Sequence, residues 1–424
     1  MPKPILTIFY QFNPWNSSIG GIQTVVKYFL KYAAADFQVR MVGTGEPGDE
    51  LGKWQTREFA GKQVQFMPVI ELADDNVRRL VPTTLRYTAA LFRYDFSADF
   101  LHFYRLEYAL AAFRWSGEKS FSLQNDIRKQ MDAKVCKDAI LWQKFPQAYF
   151  ALEKWLMGQF DRIYSCHTDS VKFYQQQYPQ LSDRFEHLKN TVDLELFFPL
   201  SPTAKEAERQ QLARKLNLSD NTRFVLYVGR LHPQKDPLLL IQAFAALQQP
   251  EVHLLIAGEG ELKSSIKAEI ERCGIGDRVT LLGGVSPKRV SDLYRLSSVF
   301  VVSSAYEGVP IVVLESLACG TPVVGTDCGE IPLILTEDSG IMCRDRQPET
   351  MTRALDSILT NGHSQAPSSH GGVRVTQPEK YSVAACVDAA QPYSAETVVS
   401  QVYATMRSTW QEQSTTHELK YIEL

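Results

Sequence analysis

A loop in the second half of the chain has cationic residues suited to binding a diphosphate. It runs from Gly229 to Lys235 and directly follows the apolar run Phe224–Val228. Arg230 offers a planar guanidinium fork and Lys235 a compact ammonium group. Charged loop residues are more often simply solvated, but a loop at the carboxyl end of a parallel strand faces the ligand crevice of such a sheet. The motif therefore predicts an anion site.

A second motif places two carboxylates around the start of a predicted helix. Pro310 is expected at the first helical position, which leaves the N–H groups of Ile311 and Val312 free to bind an anion. Glu307 in the loop and Glu315 about two turns into the helix would reach different parts of one elongated ligand. Carboxylates at these positions suit sugar hydroxyls. The alternative is an acid favoured by the helix dipole beside an unrelated glutamate.

Paired glycines near the amino terminus form a third candidate site. Gly20 and Gly21 follow the first predicted strand and its loop, and they open a helix at Gln23. Backbone N–H groups at such a helix start can approach an anion, although a plain tight turn is the alternative. The dinucleotide fingerprint G-x-G-x-x-G is absent here, which argues against NAD and a Rossmann dehydrogenase.

Short β-branched runs alternate with helical patterns, which predicts an α/β fold with doubly wound parallel sheets. The strands predicted in the first half are Ile5–Phe9, Phe37–Val42, Val64–Pro68, Phe100–Phe103, Phe121–Leu123 and Arg162–Ser165. Those predicted in the second half are Phe224–Val228, Val252–Ile256, Val279–Leu282, Val299–Val302 and Pro322–Val324. The helices predicted between the latter are Pro237–Leu247, Glu261–Arg272, Pro287–Leu296 and Ile311–Cys319.

The length of 424 residues predicts two domains, because single cores stop growing at roughly 250 to 300 residues. We place them at residues 1–200 and 201–390, followed by 391–424 with a final helix near Ala395–Gln411. The 45 Lys and Arg against 48 Asp and Glu give a net charge of −3, which argues against nucleic acid as a partner. The scattered cysteines, without a C-x-x-C pair, predict neither a disulfide framework nor a zinc site.

The run from Val228 to Gly329 resembles the donor domain of GT-B fold glycosyltransferases, specifically the retaining family 4 group. The matching pieces are Gly229-Arg230 with Lys235, Ala257 to Gly260, Gly283-Gly284-Val285, Ser303 through Glu315, and Ala318 to Val324. The first half contains weaker matches to the family pattern, at Gly20-Gly21 and at Asn190 to Asp193. The resemblance implies two Rossmann-like domains facing a central cleft. It also implies that the first domain binds the acceptor and that the last helix crosses back to it.

The resemblance also implies a role for each candidate residue. Arg230 and Lys235 would neutralise the donor diphosphate, and Glu307 would contact the transferred sugar, so these three are the predicted catalytic residues. Glu315 would hold the ribose hydroxyls and Val285 would lie at the base. The predicted donor site comprises Gly20, Gly21, Arg230, Lys235, Val285, Glu307, Gly308, Ile311, Val312 and Glu315. The resemblance implies no metal or other cofactor, and the chain contains no D-x-D triplet.

The acceptor side departs from the family pattern. Many members carry a His after a strand of the first domain, where this chain has Gln124 or Asn125. Neither amide can act as a general base, but a front-face reaction in which the departing phosphate takes the acceptor proton needs none. Asn125 and Asp126 are the acceptor-side candidates, although Asp126 is equally suited to capping a helix. Leu333 replaces a further expected carboxylate.

A basic stripe is predicted on a helix between Arg78 and Tyr94. Arg79, Arg86 and Arg93 recur every seven residues and suit anionic lipid or a lipid-diphosphate acceptor, with a solvated helix face as the alternative. The opposite, packed side is predicted to carry Val81, Leu85, Thr88 and Phe92. No run approaches the roughly 18 apolar residues needed to span a bilayer, so we expect a cytoplasmic protein. Peripheral attachment to the inner face of a membrane is left open.

These observations predict a retaining glycosyltransferase of the hexosyltransferase type. The donor would be a UDP- or GDP-linked sugar, and the acceptor a glycan or lipid-linked glycan in polysaccharide biosynthesis. A non-catalytic nucleotide-sugar binding protein of the same fold is the alternative, because the expected His is missing.

Overall fold

The computed structural model describes residues 3–16, 20–72, 81–124, 146–361 and 380–422, arranged in two units. The first unit takes in the chain up to Asn190 together with the last helix, and the second spans Thr191–Ser394. Each unit is built around a mainly parallel sheet, as an α/β chain predicts. Of the described helices, none combines the length and apolar character that a bilayer span requires.

The units meet in sequence at Thr191 instead of the predicted residue 201, because the segment after Asn190 is bonded to the second unit. Val192 pairs with Ser394 in a parallel bridge, and its N–H donates to the Tyr393 carbonyl at 2.8 Å. Further along this segment, the Leu196 carbonyl accepts a hydrogen bond of 2.7 Å from Arg295. These bonds attach the segment to the second unit.

The first unit has strands on both sides of a central β1. The strands are Ile5–Phe9 (β1), Gln38–Gly45 (β2), Gln55–Phe59 (β3), Lys62–Glu71 (β4), Phe100–Phe103 (β5), Glu118–Leu123 (β6), Arg162–Ser165 (β7) and Phe185–His187 (β8). Their order is β3-β4-β2-β1-β5-β6-β7-β8, and only β3 in this sheet pairs antiparallel. The sequence prediction missed β3, because this edge strand is polar and only partly buried and its turn relies on left-handed Ala60 and Gly61.

Helices cover this first sheet. They are Gly21–Lys31 (α1), Thr83–Leu91 (α2), Ala109–Ala112 (α3), Pro146–Met157 (α4) and Thr168–Gln177 (α5). The burial predicted for the apolar residues on and beside α2 is wrong, because Val81, Leu85 and Phe92 are exposed by 49%, 55% and 44%. Tyr87 is instead fully buried and donates its hydroxyl to the Val42 carbonyl at 2.8 Å. Arg86 is half-buried and Arg79 lies outside the described residues, so the structure shows no continuous arginine stripe among the residues it describes.

The second unit has a wholly parallel sheet. Its strands are Arg223–Val228 (β9), Val252–Ala257 (β10), Val279–Gly283 (β11), Val299–Val302 (β12), Val323–Thr326 (β13) and Gly340–Cys343 (β14). Its helices are Pro202–Lys215 (α6), Pro237–Ala245 (α7), Lys263–Arg272 (α8), Pro287–Leu296 (α9), Ile311–Ala318 (α10), Ile331–Ile334 (α11), Pro348–Asn361 (α12) and Val383–Ala390 (α13). The order β11-β10-β9-β12-β13-β14 is the doubly wound arrangement that binds ligands where the strand order reverses.

The last helix, Ala395–Ile422 (α14), belongs to the first unit and is longer than predicted. Tyr403 is buried, contacts the Phe37 ring edge-on at 5.0 Å and donates to the Phe29 carbonyl at 3.3 Å. Arg407 binds both oxygens of Asp36, which lowers the pKa of that carboxyl. The helix therefore completes the core of the first unit.

Candidate functional site

The strand order of the second unit reverses between β9 and β12. These two strands pair in parallel, with Val299 opposite Val225 and Phe300 opposite Leu226. The chain leaves β9 toward one side of the sheet and β12 toward the other, so a crevice opens at their carboxyl ends. The loop after β9 carries Arg230 and Lys235, and the loop after β12 carries Glu307. The two motifs predicted from sequence therefore lie at one place.

An ion pair joins the two loops. Lys235 Nζ lies 2.5 Å from Glu307 Oε1, and Ser304 Oγ donates to the same oxygen at 2.6 Å. Glu307 is only 7% exposed, so its charge needs these partners, while Lys235 keeps 23% exposure toward the crevice. The pair holds a carboxylate and a cation in fixed positions at the switch point.

Backbone bonds hold the loops together around this pair. Ser303 Oγ donates to the Lys235 carbonyl at 2.9 Å, and the Ala305 N–H donates to the Gln234 carbonyl at 2.7 Å. Gln234 Nε2 in turn donates to the Tyr306 carbonyl at 3.1 Å. Sequence reasoning assigned no role to Gln234 or Ser304, because an uncharged residue in a loop carries no signal until its partner is known.

Arg230 has a fixed backbone and an exposed side chain. The buried Tyr227 donates its hydroxyl to the Arg230 carbonyl at 3.3 Å, and the next N–H, of Leu231, donates to the Glu259 carbonyl at 2.9 Å. The guanidinium forms no ion pair with any described residue. A glycine is required opposite this loop: Gly258 has φ +151°, and a Cβ there would lie 1.9 Å from the Gly229 carbonyl oxygen. Arg230 is thus a positioned cation open to an anionic ligand.

A tight turn sets the direction of Lys235. The Pro233–Lys235 turn begins with His232, whose Nδ1 accepts from the Gln234 N–H at 3.1 Å. It ends at Asp236, which adopts a left-handed conformation with φ +42° and caps α7 by accepting from the Leu239 N–H at 3.4 Å. Arg346 pairs with the other carboxylate oxygen of Asp236. The turn therefore returns the chain sharply into α7 and leaves Lys235 at the crevice.

Glu315 lies half-buried in α10, two turns after the crevice. Burial raises the pKa of its carboxyl to about 7, and a hydrogen bond from the Tyr294 hydroxyl to Oε2, at 3.3 Å, opposes that rise. Pro310 is not the first helical residue as predicted: its ψ of 111° is extended, and it caps the helix that begins at Ile311. The half-buried Ile311 and Val312 still occupy the amino-terminal turn.

The remaining predicted residues of the second unit lie along the same edge of the sheet. The Gly308 carbonyl accepts from the Glu330 N–H at 3.0 Å. Left-handed Gly329, φ +59°, permits this approach, because a Cβ there would lie 2.1 Å from the Gly308 oxygen. Val285 is half-buried in the loop after β11, two strands from β9. Leu333 follows on α11 with 66% exposure.

The predicted residues of the first unit are only partly described. Gly20 is the extended residue that precedes α1, and Gly21 is the first residue of that helix. Their position at a helix start agrees with the sequence interpretation, and they belong to a different unit from Arg230 and Lys235. Asn125 and Asp126 lie outside the described residues.

Comparison with known proteins finds similarities mainly in the second unit. Residues 208–370 match the model of the family described as glycosyl transferases group 1. The D-inositol 3-phosphate glycosyltransferase of Segniliparus rotundus is 30% identical over 211 residues, which are 48% of this chain and 45% of that protein. The chain thus matches less than half of the length of this curated relative.

Solved structures share the fold over nearly the whole chain. Sucrose-phosphate synthase from Thermosynechococcus elongatus superposes with a TM-score of 0.75 at 18% identity, covering 97% of this chain and 100% of that one. Anabaena Alr3699/HepE, solved with UDP, superposes with a TM-score of 0.65 at 17% identity, covering 96% and 100%. The predicted fold class, GT-B with two Rossmann-like domains, is confirmed.

Proposed function

We propose that this protein, whose residues 208–370 match the model of the family described as glycosyl transferases group 1, transfers a hexose from a nucleotide-sugar donor to a glycan. The observation that carries this proposal is the Lys235–Glu307 pair, 2.5 Å long, at the switch point of the second sheet. A cation and a carboxylate held side by side suit a ligand that is a phosphate at one end and a polyol at the other.

The donor diphosphate is assigned to the cations of the loop after β9. Arg230 is exposed and forms no ion pair with any described residue, so it can bind phosphate oxygens in a bidentate manner. Ile311 and Val312 at the start of α10 add backbone donors to this end of the ligand. The complex of Anabaena HepE with UDP-glucose supports a nucleotide-sugar donor. Both UDP- and GDP-linked sugars fit the proposal.

The sugar and ribose ends are assigned to the two glutamates. Glu307, fixed by Lys235 and Ser304, is placed to contact the transferred sugar. Glu315 in α10 would accept hydrogen bonds from the ribose hydroxyls, with Val285 beside the base. Gly20 and Gly21, at the start of α1 in the first unit, are further candidates for binding phosphate.

The proposed chemistry depends on electrostatic stabilisation of the leaving diphosphate. Arg230 and Lys235 would neutralise the charge that develops there, so the reaction needs no metal or other cofactor. We propose retention of the anomeric configuration, with the departing phosphate taking the proton of the acceptor hydroxyl. This route suits a chain that has Gln124 or Asn125 where a His is expected.

The acceptor is proposed to be a glycan or lipid-linked glycan in polysaccharide assembly, used on the cytoplasmic side of a membrane. Its binding groups would come from the first unit, with Asn125 and Asp126 as candidates. An acceptor of this kind places the enzyme at the membrane surface without requiring a membrane span.

A thermal-shift panel of nucleoside diphosphates and nucleotide-sugars tests the donor assignment. We expect one diphosphate family to raise the melting temperature without added metal, because a ligand that binds only the folded state stabilises it by mass action. Arg230→Ala should abolish that shift, whereas Arg353→Ala, an exposed arginine on α12, should retain it. The absence of a shift with every nucleotide, or an unchanged shift in Arg230→Ala, would overturn the assignment.

A further inference from the structure

Two arginines of the first unit have buried N–H groups that bond to no described acceptor. In Arg86 the buried atom is Nη1, and in Arg105 it is Nε. Buried donors are nearly always hydrogen-bonded, because nothing else offsets the loss of their hydration. We infer that these arginines form an anion site, and that the acceptor glycan is acidic and binds there through carboxylate or phosphate groups. The identity of the ligand as the acceptor rests on the proposed function, whereas the anion site does not.

Both arginines lie at the carboxyl edge of the first sheet. Arg86 on α2 donates to the carbonyl of Glu71, the last residue of β4, at 3.5 Å. Arg105 follows the end of β5 by two residues. The order β4-β2-β1-β5 separates the two strand ends by three strand spacings, or roughly 14 Å. A span of this size suits an extended glycan better than one small ion.

A pair of tyrosine rings connects the two positions. Tyr87 is next to Arg86, Tyr108 is three residues after Arg105, and the centroids of the two rings are 4.8 Å apart. Both tyrosines are fully buried, and Tyr87 donates its hydroxyl to the Val42 carbonyl at 2.8 Å. The backbone on which each arginine stands is therefore anchored in the core, while both arginines are half-buried.

The described acids at the ends of β4 and β2 do not neutralise Arg86. Glu71 accepts from it through the backbone carbonyl, and the residue itself is exposed. Glu46, the first residue after β2, accepts from a side-chain amide instead. The next two acids, Asp49 and Glu50, pair with other cations. Arg86 therefore keeps its positive charge without an ion pair to any described residue.

Arg105 is in the same condition. It is hydrogen-bonded to the neutral Tyr10, and Glu107 interacts with it electrostatically but forms no ion pair. Residues 10–35, which follow β1, contain no acid. A guanidinium offers five donors in a planar fork that matches carboxylate and phosphate oxygens. A neutral glycan would leave the positive charge without a partner, so the arrangement favours an acidic one.

Isothermal titration of charged and neutral sugars into the full chain, without any nucleotide, tests this inference. The probes are trigalacturonate for a carboxylate, glucose 6-phosphate for a phosphate, and maltotriose as the neutral control. We expect at least one charged probe to bind at least about tenfold more tightly than maltotriose, because a charged hydrogen bond contributes about that factor. The charged probe that binds more tightly identifies the anionic group of the acceptor.

Substitutions at the two arginines locate the binding. Arg105→Ala should lower the affinity for that probe at least about tenfold, and adding Arg86→Ala should lower it further. Arg105→Lys should recover only part of the loss, because lysine lacks the planar fork. Lys172→Ala, which removes an exposed cation from α5, should bind as the wild type does. All four proteins should stay within a few degrees of the wild-type melting temperature, because the buried N–H groups bond to no described acceptor.

Three results would overturn the inference. One is equal binding of the charged and neutral probes, and another is a folded Arg105→Ala protein that binds the charged probe as the wild type does. The third is binding that Arg230→Ala abolishes and Arg105→Ala retains, because the probe would then occupy the second unit. A protein that binds an acidic sugar through Arg105 but binds no nucleotide would refute the proposed function and keep the anion site.

Discussion

The two sheets of this protein each have a switch point, and the residues at the two points differ in kind. In the second unit, Lys235 and Glu307 form an ion pair between the loops that follow β9 and β12. In the first unit, β1 and β5 are the corresponding strands, and the Tyr108 hydroxyl donates to Gln11 Oε1 at 3.2 Å. The contact described at the switch point of the second unit is therefore between charged side chains. The contact described in the first unit is between a phenol and an amide.

A single arginine is the exception at the first switch point. Arg105 follows β5 and is hydrogen-bonded to Tyr10, but its buried Nε has no acceptor and the guanidinium forms no ion pair with any described residue. Glu107 interacts electrostatically with Arg105 but forms no ion pair with it, so the half-buried guanidinium retains unused hydrogen-bonding capacity. The second unit therefore has a preformed ion pair at its switch point, whereas the cation at the first has no such partner among the described residues. Under the proposed function, the ion pair would meet the diphosphate sugar and Arg105 would meet the acceptor.

The largest expected effect is at the charged switch point. Glu307→Ala removes the carboxylate that Lys235 and Ser304 hold, so kcat/KM for sugar transfer should fall about 10³-fold, a loss typical of removing one electrostatic group from an active site. Steady-state transfer assays measure it, with Glu337→Ala, an exposed glutamate, as the control. A non-catalytic nucleotide-sugar binding protein would show no transfer in either variant or in the wild type.

A smaller effect is expected at the first switch point. Arg105→Ala should raise the KM for the acceptor about tenfold, the loss of one charged hydrogen bond, and leave the Kd for the nucleotide unchanged. Arg105→Lys should recover only part of the loss, because lysine cannot bind in a bidentate manner. If both variants alter the affinity for the nucleotide and not the KM for the acceptor, the assignment of the nucleotide to the second switch point and of the acceptor to the first is wrong.

The smallest effect concerns pH. The pKa of Glu315 is raised to about 7 in the folded protein, so the carboxyl gains its charge as pH rises through 7. An ionised carboxylate is the better acceptor for ribose hydroxyls, so nucleotide affinity should rise about fivefold between pH 6 and pH 8. The same shift makes folding less favourable as pH rises from about 4.5 through 7, because the native state holds a proton that the unfolded chain loses.

Calorimetric titration at several pH values measures this dependence. Glu315→Gln, which is neutral throughout, should bind weakly and show no rise between pH 6 and pH 8. A pH-independent wild type would remove Glu315 from the ribose site and leave its raised pKa as a consequence of burial alone.

The sequence predicted most of what forms the charged switch point. Apolar strands such as Val299–Val302 were recognised with their observed bounds, and motifs that follow two strands at a reversal of strand order must meet in space. The ion-pair geometry and the partners Ser304 and Gln234 could not be predicted, because uncharged loop residues acquire a role only through their neighbours.

The apolar pattern did not predict burial correctly on α2, because helical spacing alone does not decide which side of a helix faces the core. The helical spacing of Leu85 and Phe92 predicts that they face the core, but Tyr87 on the other side of α2 is the residue that reaches it. Hydrophobic periodicity identifies a stripe but does not say whether protein or another medium covers it. The polar β3 was missed for the converse reason, since an edge strand needs little apolar content.

Isothermal titration of UDP and GDP into the wild type and into Arg230→Ala, without metal, tests the central claim most directly. We expect one-to-one binding of at least one of these nucleotides to the wild type and a loss of at least about tenfold in affinity in the variant, because a charged hydrogen bond is removed. Binding of neither nucleotide, or equal binding by the two proteins, would contradict a diphosphate site at the switch point of the second unit.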